Sequence, residues 1–101
     1  MILYLLNLDS TTLFKIGITK NKDINVRIKQ LQTGAVYKIV ATWTYETEYA
    51  SKIERTIHRH YSYLKTYGEW HNFDDVSIFE VIEKIKNIEK VIKQLNENKE
   101  N

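Results

Sequence analysis

Two apolar runs, "ILYLLNL" (2 to 8) and "LFKIGIT" (13 to 19), stand four residues apart across "DSTT". Short polar side chains favour turns, so the pair reads as an antiparallel hairpin. Both runs are apolar on alternate as well as successive positions, and a strand of that kind has to be covered on both faces. This requirement dictates most of the fold: a central hairpin with other elements packed on either side. Lys15 and Gly17 break the pattern. A glycine inside a strand marks a bulge or a close approach by another group, whereas a single lysine beside it is ordinarily a snorkelling surface side chain.

Further along, "DINVRIKQLQTG" spaces Ile24, Ile28 and Leu31 for a helix, with Asp23 as N-cap, Gly34 as its stop and Arg27 off the centre of the apolar stripe. The β-branched and aromatic run "YKIVATWTYE" predicts a third strand. From Tyr49 to about Leu64, Ala50, Ile53, Ile57, Tyr61 and Leu64 form one helical stripe, with Glu54 and His58 a turn apart beside it. A turn at Gly68 leads into "EWHNF", a short extended piece in which Trp70 reads as a core anchor rather than a base-stacking platform. Ile78, Val81, Ile85, Ile88, Ile92 and Leu95 then mark a long amphipathic helix, and "NENKEN" reads as a frayed tail.

The order β-β-α-β-α-(β)-α predicts an α+β fold, with a small, mainly antiparallel three-stranded sheet flanked by helices. A chain of 101 residues supports one core. We divide it into residues 1–75, a compact core, and residues 76–101, the amphipathic helix of the same domain. With no cysteine there is no disulfide framework or thiolate metal site, which fits a reducing cytoplasmic compartment. Neither a membrane span nor a signal peptide is legible. A net charge of +2 is too small to point to nucleic acid, so any basic footprint has to be local.

Tyr4 in "ILY", the "KIG" of Lys15 to Gly17, Arg27 in "NVRIKQLQTG" and Glu54 in "ASKIERTIHRHY" occur in one order on a strand, a strand, a helix and a helix. In this the chain resembles the GIY-YIG nucleases. With "FKIGITKN", "IKQLQTG", "IERTIHRHY" and "GEW" it is similar to their short, divergent phage and prophage branch, akin to the meiotically up-regulated gene family. The resemblance covers about residues 2 to 73 and leaves out the final helix.

The resemblance implies a metal-dependent endonuclease acting on DNA. Glu54 would be the single protein ligand of Mg²⁺ or Mn²⁺, a sparse donor set that suits an ion which keeps its waters. Arg27 would contact the scissile phosphate through its planar fork. Tyr4 holds the general-base position, where a phenol needs nearby cations to favour its ionised form. Two departures stand out: "GIY" is "ILY", and the second family tyrosine is Lys15, which holds a water or stabilises negative charge but does not replace a phenol. Gly17 is expected to leave room for water or phosphate. His58, on Glu54's face, is an accessory candidate, while His60 points elsewhere. Glu69 or Asn72 would substitute for the asparagine that many family members place after this helix.

Lys20, Lys22 and Lys29, with Lys52, Arg55 and Arg59 on the second helix, form the expected local basic footprint for DNA. Two other functions fit the same sequence. One is a catalytically inactive nucleic-acid-binding module of the same fold. The other is a protein-interaction domain working through the terminal helix, whose Ile-rich seam would also support a homodimer.

Overall fold

The computed structural model describes residues 1–100, with side chains as far as residue 98. Its first strand, β1 (Ile2–Leu8), pairs antiparallel with β2 (Leu13–Thr19), Ile2 opposite Thr19 and Tyr4 opposite Gly17. The turn between them puts Ser10 at φ 65°, a region few side chains adopt. Local bonds hold it there: the Asn7 amide donates to the Thr11 and Leu13 carbonyls, at 3.0 Å each, and the Thr11 hydroxyl donates to the Leu8 carbonyl at 2.6 Å. β3 (Ile39–Glu46) adds to the free side of β1, and β4 (Trp70–Asn72) to the free side of β2, both antiparallel. Among the described residues the sheet therefore has four strands in the order β3-β1-β2-β4, rather than the three expected. The short "EWHNF" piece is the fourth.

The hairpin is central, and it is covered on both faces. On one face Leu3, Leu5 and Ile16 pack against Ile53 and Ile57 of α2 (Ala50–His60) and Val81 and Ile85 of α3 (Ile78–Glu100). An 11-residue helix is marginal alone. Each fully buried isoleucine contributes about 1.5–3 kcal/mol, so Ile53 and Ile57, both with no exposed surface, hold α2 in place. On the other face Tyr4, Leu6 and Ile39 meet Ile24, Ile28 and Leu31 of α1 (Ile24–Gln32). The Asp23 side chain caps α1 by accepting from the Asn25 N–H at 3.0 Å, and Gly34 ends it at φ 84°, a backbone suited to glycine. No residue of α1 is fully buried, so this helix is the more loosely anchored cover.

A β-bulge lets β3 serve both faces. Leu5 pairs with Trp43 but Leu6 with Ala41, leaving Thr42 without a partner. The side-chain alternation slips there by one: Ile39 lies toward α1, whereas Trp43 lies toward α2 and α3.

The second helix ends at His60, and a 3-10 turn at Ser62–Leu64 completes the expected stripe. The terminal helix runs to Glu100, so the segment after Leu95 is helical rather than frayed through that residue; Asn101 lies outside the described residues. Ile88 and Ile92 pack against the chain's own core, leaving Val91 and Leu95, 53% and 56% exposed, as the uncovered apolar residues of that stretch. Glu89 is buried on the same helix, where its carboxylate accepts from the hydroxyls of Tyr45 and Thr47 and pairs with Lys93 at 3.6 Å. No helix is long and apolar enough to cross a membrane among the described residues.

Candidate active site

Alternation along β2 puts Leu13, Lys15 and Gly17 on the α1 face and Ile16 on the other. Opposite Gly17 in the ladder is Tyr4, and its ring lies across the glycine: a Cβ there would overlap the Tyr4 hydroxyl and ring. The space expected for water or phosphate is thus filled by the phenol. Tyr4 is 1% exposed, and its hydroxyl accepts a hydrogen bond from Arg27 Nε at 3.3 Å. Half-buried Arg27 also donates to Gln30 Oε1 at 3.3 Å. Gly17, Tyr4 and Arg27 therefore form a stack in which the absence of one side chain positions the next two.

Lys15 is 8% exposed and pairs with Glu69 at 3.0 Å. Its Nζ lies 5.7 Å from the Trp70 ring centroid, a cation–π distance, because β4 sets Trp70 directly opposite Lys15. Trp70 is half-buried against the α1-side core, as its reading as an anchor expected. Glu69 thus stands at the site. Asn72 does not: it lies opposite Leu13 and accepts from the Thr12 hydroxyl at 2.7 Å.

From the other side of the sheet, α2 brings Glu54 and His58 to the same edge. His58 Nε2 donates to the Ile16 carbonyl at 2.7 Å, which leaves Nδ1 as the acceptor nitrogen in the neutral ring. Burial pushes the Glu54 carboxyl up; the charges of His58 and Lys15 act against it, and that of Glu69 adds to it. Burial also opposes ionisation of Glu69, but the Lys15 bond and the charges of Lys15, His58 and Arg27 outweigh it and hold this carboxyl below its ordinary value. Glu54, Glu69 and Lys15 thus sit within electrostatic reach of one another, and Arg27 within reach of Glu69, the four delivered by α2, the residue preceding β4, β2 and α1.

A residue not singled out from the sequence completes this edge. His71 is wholly buried, its ring 5.1 Å from that of His58, and its Nδ1–H donates to the Glu69 carbonyl at 2.9 Å while Nε2 has no protein partner. Burial, and then the charge of His58, push its pKa down. The ring fixes the backbone that presents Glu69. A three-residue strand carries no periodic signal, and pairing with β2 is what buries this histidine.

The basic residues are dispersed. Lys20 and Lys22 are exposed on the connection from β2 to α1, next to the helix that carries Arg27. Lys29 is exposed roughly 160° round α1 from Arg27 at about 100° per residue. Lys52, Arg55 and Arg59 line a depression with Thr56 and Ile92, about 100–160° round α2 from Glu54. Their expected clustering around the catalytic positions is therefore not what the helix phase gives. His60 is exposed and off the site, as expected.

Among the described residues no group of three or more His, Cys, Asp or Glu side chains forms a metal cage. A cation here would rest on Glu54 and Glu69, a donor set suited to a hard, largely hydrated ion rather than zinc. Neither a curated protein nor a solved structure matches the chain. A family model does match, over residues 1–96: by this match the chain belongs to the T5orf172 domain family, which is associated with the GIY-YIG nuclease superfamily.

Proposed function

We propose that the chain is a metal-dependent endonuclease that hydrolyses phosphodiester bonds in DNA, of the short phage-type branch of the GIY-YIG superfamily. The observation that carries this reading is the Lys15–Glu69 ion pair at 3.0 Å, with Glu54 and Arg27, from separate helices, each within electrostatic reach of it. Glu54, with Glu69 beside it, would hold Mg²⁺ or Mn²⁺; a half-buried carboxylate that burial disfavours as an anion gains from a nearby hard cation. When bound, the metal polarises the phosphate and stabilises the leaving alkoxide.

The remaining work falls to the chain's own side chains. Arg27 binds the phosphoryl oxygens with the part of its fork not turned to Tyr4. Tyr4 acts as a positioning residue for Arg27, since its hydroxyl is buried and already engaged. Lys15 places a fixed positive charge beneath the phosphate, supported by the Trp70 face. His58 takes the proton of the attacking water on Nδ1, because Nε2–H is held by the Ile16 carbonyl. Lys20 and Lys22 contact the DNA backbone beside α1.

One observation favours an inactive DNA-binding module instead: Lys15, at the second family tyrosine's place, is paired with Glu69, so charge and metal ligand partly neutralise each other. The test is incubation with supercoiled plasmid and Mg²⁺ or Mn²⁺, with EDTA as control. Metal-dependent nicking by the unmodified chain and none by Glu54→Gln supports the enzyme. Binding without nicking supports the inactive module.

A further inference from the structure

Beside the candidate site lies a cleft of about 410 Å³ that the reading above does not use. Leu8, Leu13 and Leu31 form its walls, Trp70 one side, and Tyr37 and Tyr67 its rim. Tyr67 is 84% exposed and Tyr37 56%, far more than packing of the chain against itself requires of two aromatic rings at one opening. None of the described residues lining it is charged. The volume and the apolar lining with a few hydroxyls, from Thr33 and Thr66, are those of a small-ligand pocket.

We infer that this cleft binds one unpaired nucleobase of the DNA strand whose phosphate lies at Lys15 and Arg27. The inference rests on the proposed function for its phosphate and on three observations for its base. First, the cleft is continuous with the candidate site: Leu13, which lines it, is two residues before Lys15 on the same face of β2, about 7 Å away. Trp70 belongs to both, lining the cleft while its ring lies near Lys15 Nζ. Second, the lining suits a flat π-surface with a polar edge: aromatic faces stack on any base, with little dependence on its sequence. Third, exposed Lys38 and Lys65 adjoin Tyr37 and Thr66 at the rim, and of the two acids that adjoin the lining, Asp9 and Glu69, the second is already paired with Lys15, so the charge there suits a phosphate-linked ligand. A base has to leave its stack to enter, so the preferred substrate carries a single-stranded or unpaired position.

Trp70 provides the readout. Trp43, the other of the two tryptophans, packs on the opposite face of the sheet, so Trp43→Phe leaves Trp70 as the sole tryptophan, excited selectively at the red edge where tyrosine does not absorb. The variant is titrated in EDTA, so that no cleavage occurs, with a single-stranded oligodeoxynucleotide, the same strand fully paired, and the same strand with abasic sites throughout. Trp70 emission should change with the base-bearing single strand alone. Tyr67→Ala should weaken that binding about 5- to 150-fold, the loss of one stacked base, and leave abasic-strand binding unchanged. Equal affinity for base-bearing and abasic strands, or no effect of Tyr67→Ala, overturns the inference. So does emission that responds to an apolar peptide and to none of the strands. Should Trp43→Phe fail to fold, 2-aminopurine in the oligonucleotide reports the same stacking with the unmodified tryptophans. Plasmid nicking is measured separately. Nicking without a base-dependent signal refutes the pocket alone, and a base-dependent signal without nicking keeps the pocket and refutes the nuclease.

Discussion

Gly17→Ala tests the stack on which Arg27's position depends. The added methyl would lie 2.8 Å from Tyr4 Cε1 and closer still to Cζ and the hydroxyl, where apolar atoms rest at about 3.5–4.0 Å. The ring therefore has to retreat by about 1 Å, in a side chain that is 1% exposed and packed between Leu6 and Ile39. Overpacking of this kind costs about 1–3 kcal/mol, and the lost chain entropy of glycine in the unfolded state returns about 0.4–1 kcal/mol. A net loss of about 1–2 kcal/mol lowers Tm by about 4–16 °C for a domain of this length. Calorimetry gives Tm, and a double-mutant cycle with Tyr4→Leu isolates the contact. On the Tyr4→Leu background, Gly17→Ala should be neutral or stabilising, because the ring it strikes is gone. Nicking should also fall in the single variant, since Arg27 Nε donates to the displaced hydroxyl. If Gly17→Ala costs the same stability on both backgrounds, the ring does not lie over the glycine, and the account of the "KIG" glycine fails.

Glu54→Gln should lower nicking by about two orders of magnitude or more while raising Tm near neutral pH. The folded-state pKa of Glu54 is raised, mainly by burial, so ionising it disfavours the fold; the Tm gain should vanish as the pH falls below the ordinary carboxylate range, and a lower Tm at neutral pH would contradict the assignment. Glu89 has the opposite sign: burial opposes its ionisation, but the Thr47 and Tyr45 hydroxyls and Lys93 hold its pKa down. Its stabilisation is therefore present above the unfolded-state carboxylate pKa and is lost as the pH falls through the lower folded one. Thermal melts across that acid range should show Glu89→Gln flattening the loss. Arg27→Ala should lower the slope of log binding constant against log salt by about one, and an unchanged slope removes Arg27 from the phosphate. Light scattering should show that a dimer seam, reduced to Val91 and Leu95, is split into folded monomers by paired Lys substitutions there. Lys at both Ile88 and Ile92 should unfold the chain, because these two pack in its own core.

What could be read from the sequence and what could not divides by whether the cause is local. The central hairpin, Asp23 as cap, Gly34 as stop and the stripes of α2 and α3 follow from periodicity and short-range chemistry. The phase that sets Lys52, Arg55 and Arg59 away from Glu54 was equally available, since counting about 100° per residue from Ile53 separates them; nearness in sequence to a catalytic position was the misleading cue. By contrast, the Thr42 bulge hides inside an unbroken β-branched run, and only the pairing with β1 shows that the faces exchange. The same cross-strand register decides the chemistry. It puts Tyr4 over Gly17, Trp70 over Leu13's neighbour Lys15, and Glu69 at the end of that row with buried His71 behind it. Each of these residues is ambiguous alone: a strand glycine, a snorkelling lysine, a loop glutamate. Antiparallel pairing of β1 with β2 and of β2 with β4 is the step that makes them one site. For that reason β4, only three residues long, matters more to the proposed chemistry than the 23-residue terminal helix. Without β4, Lys15 would have neither its aromatic support nor its carboxylate partner, and the cleft beside it would lose the side that Trp70 forms.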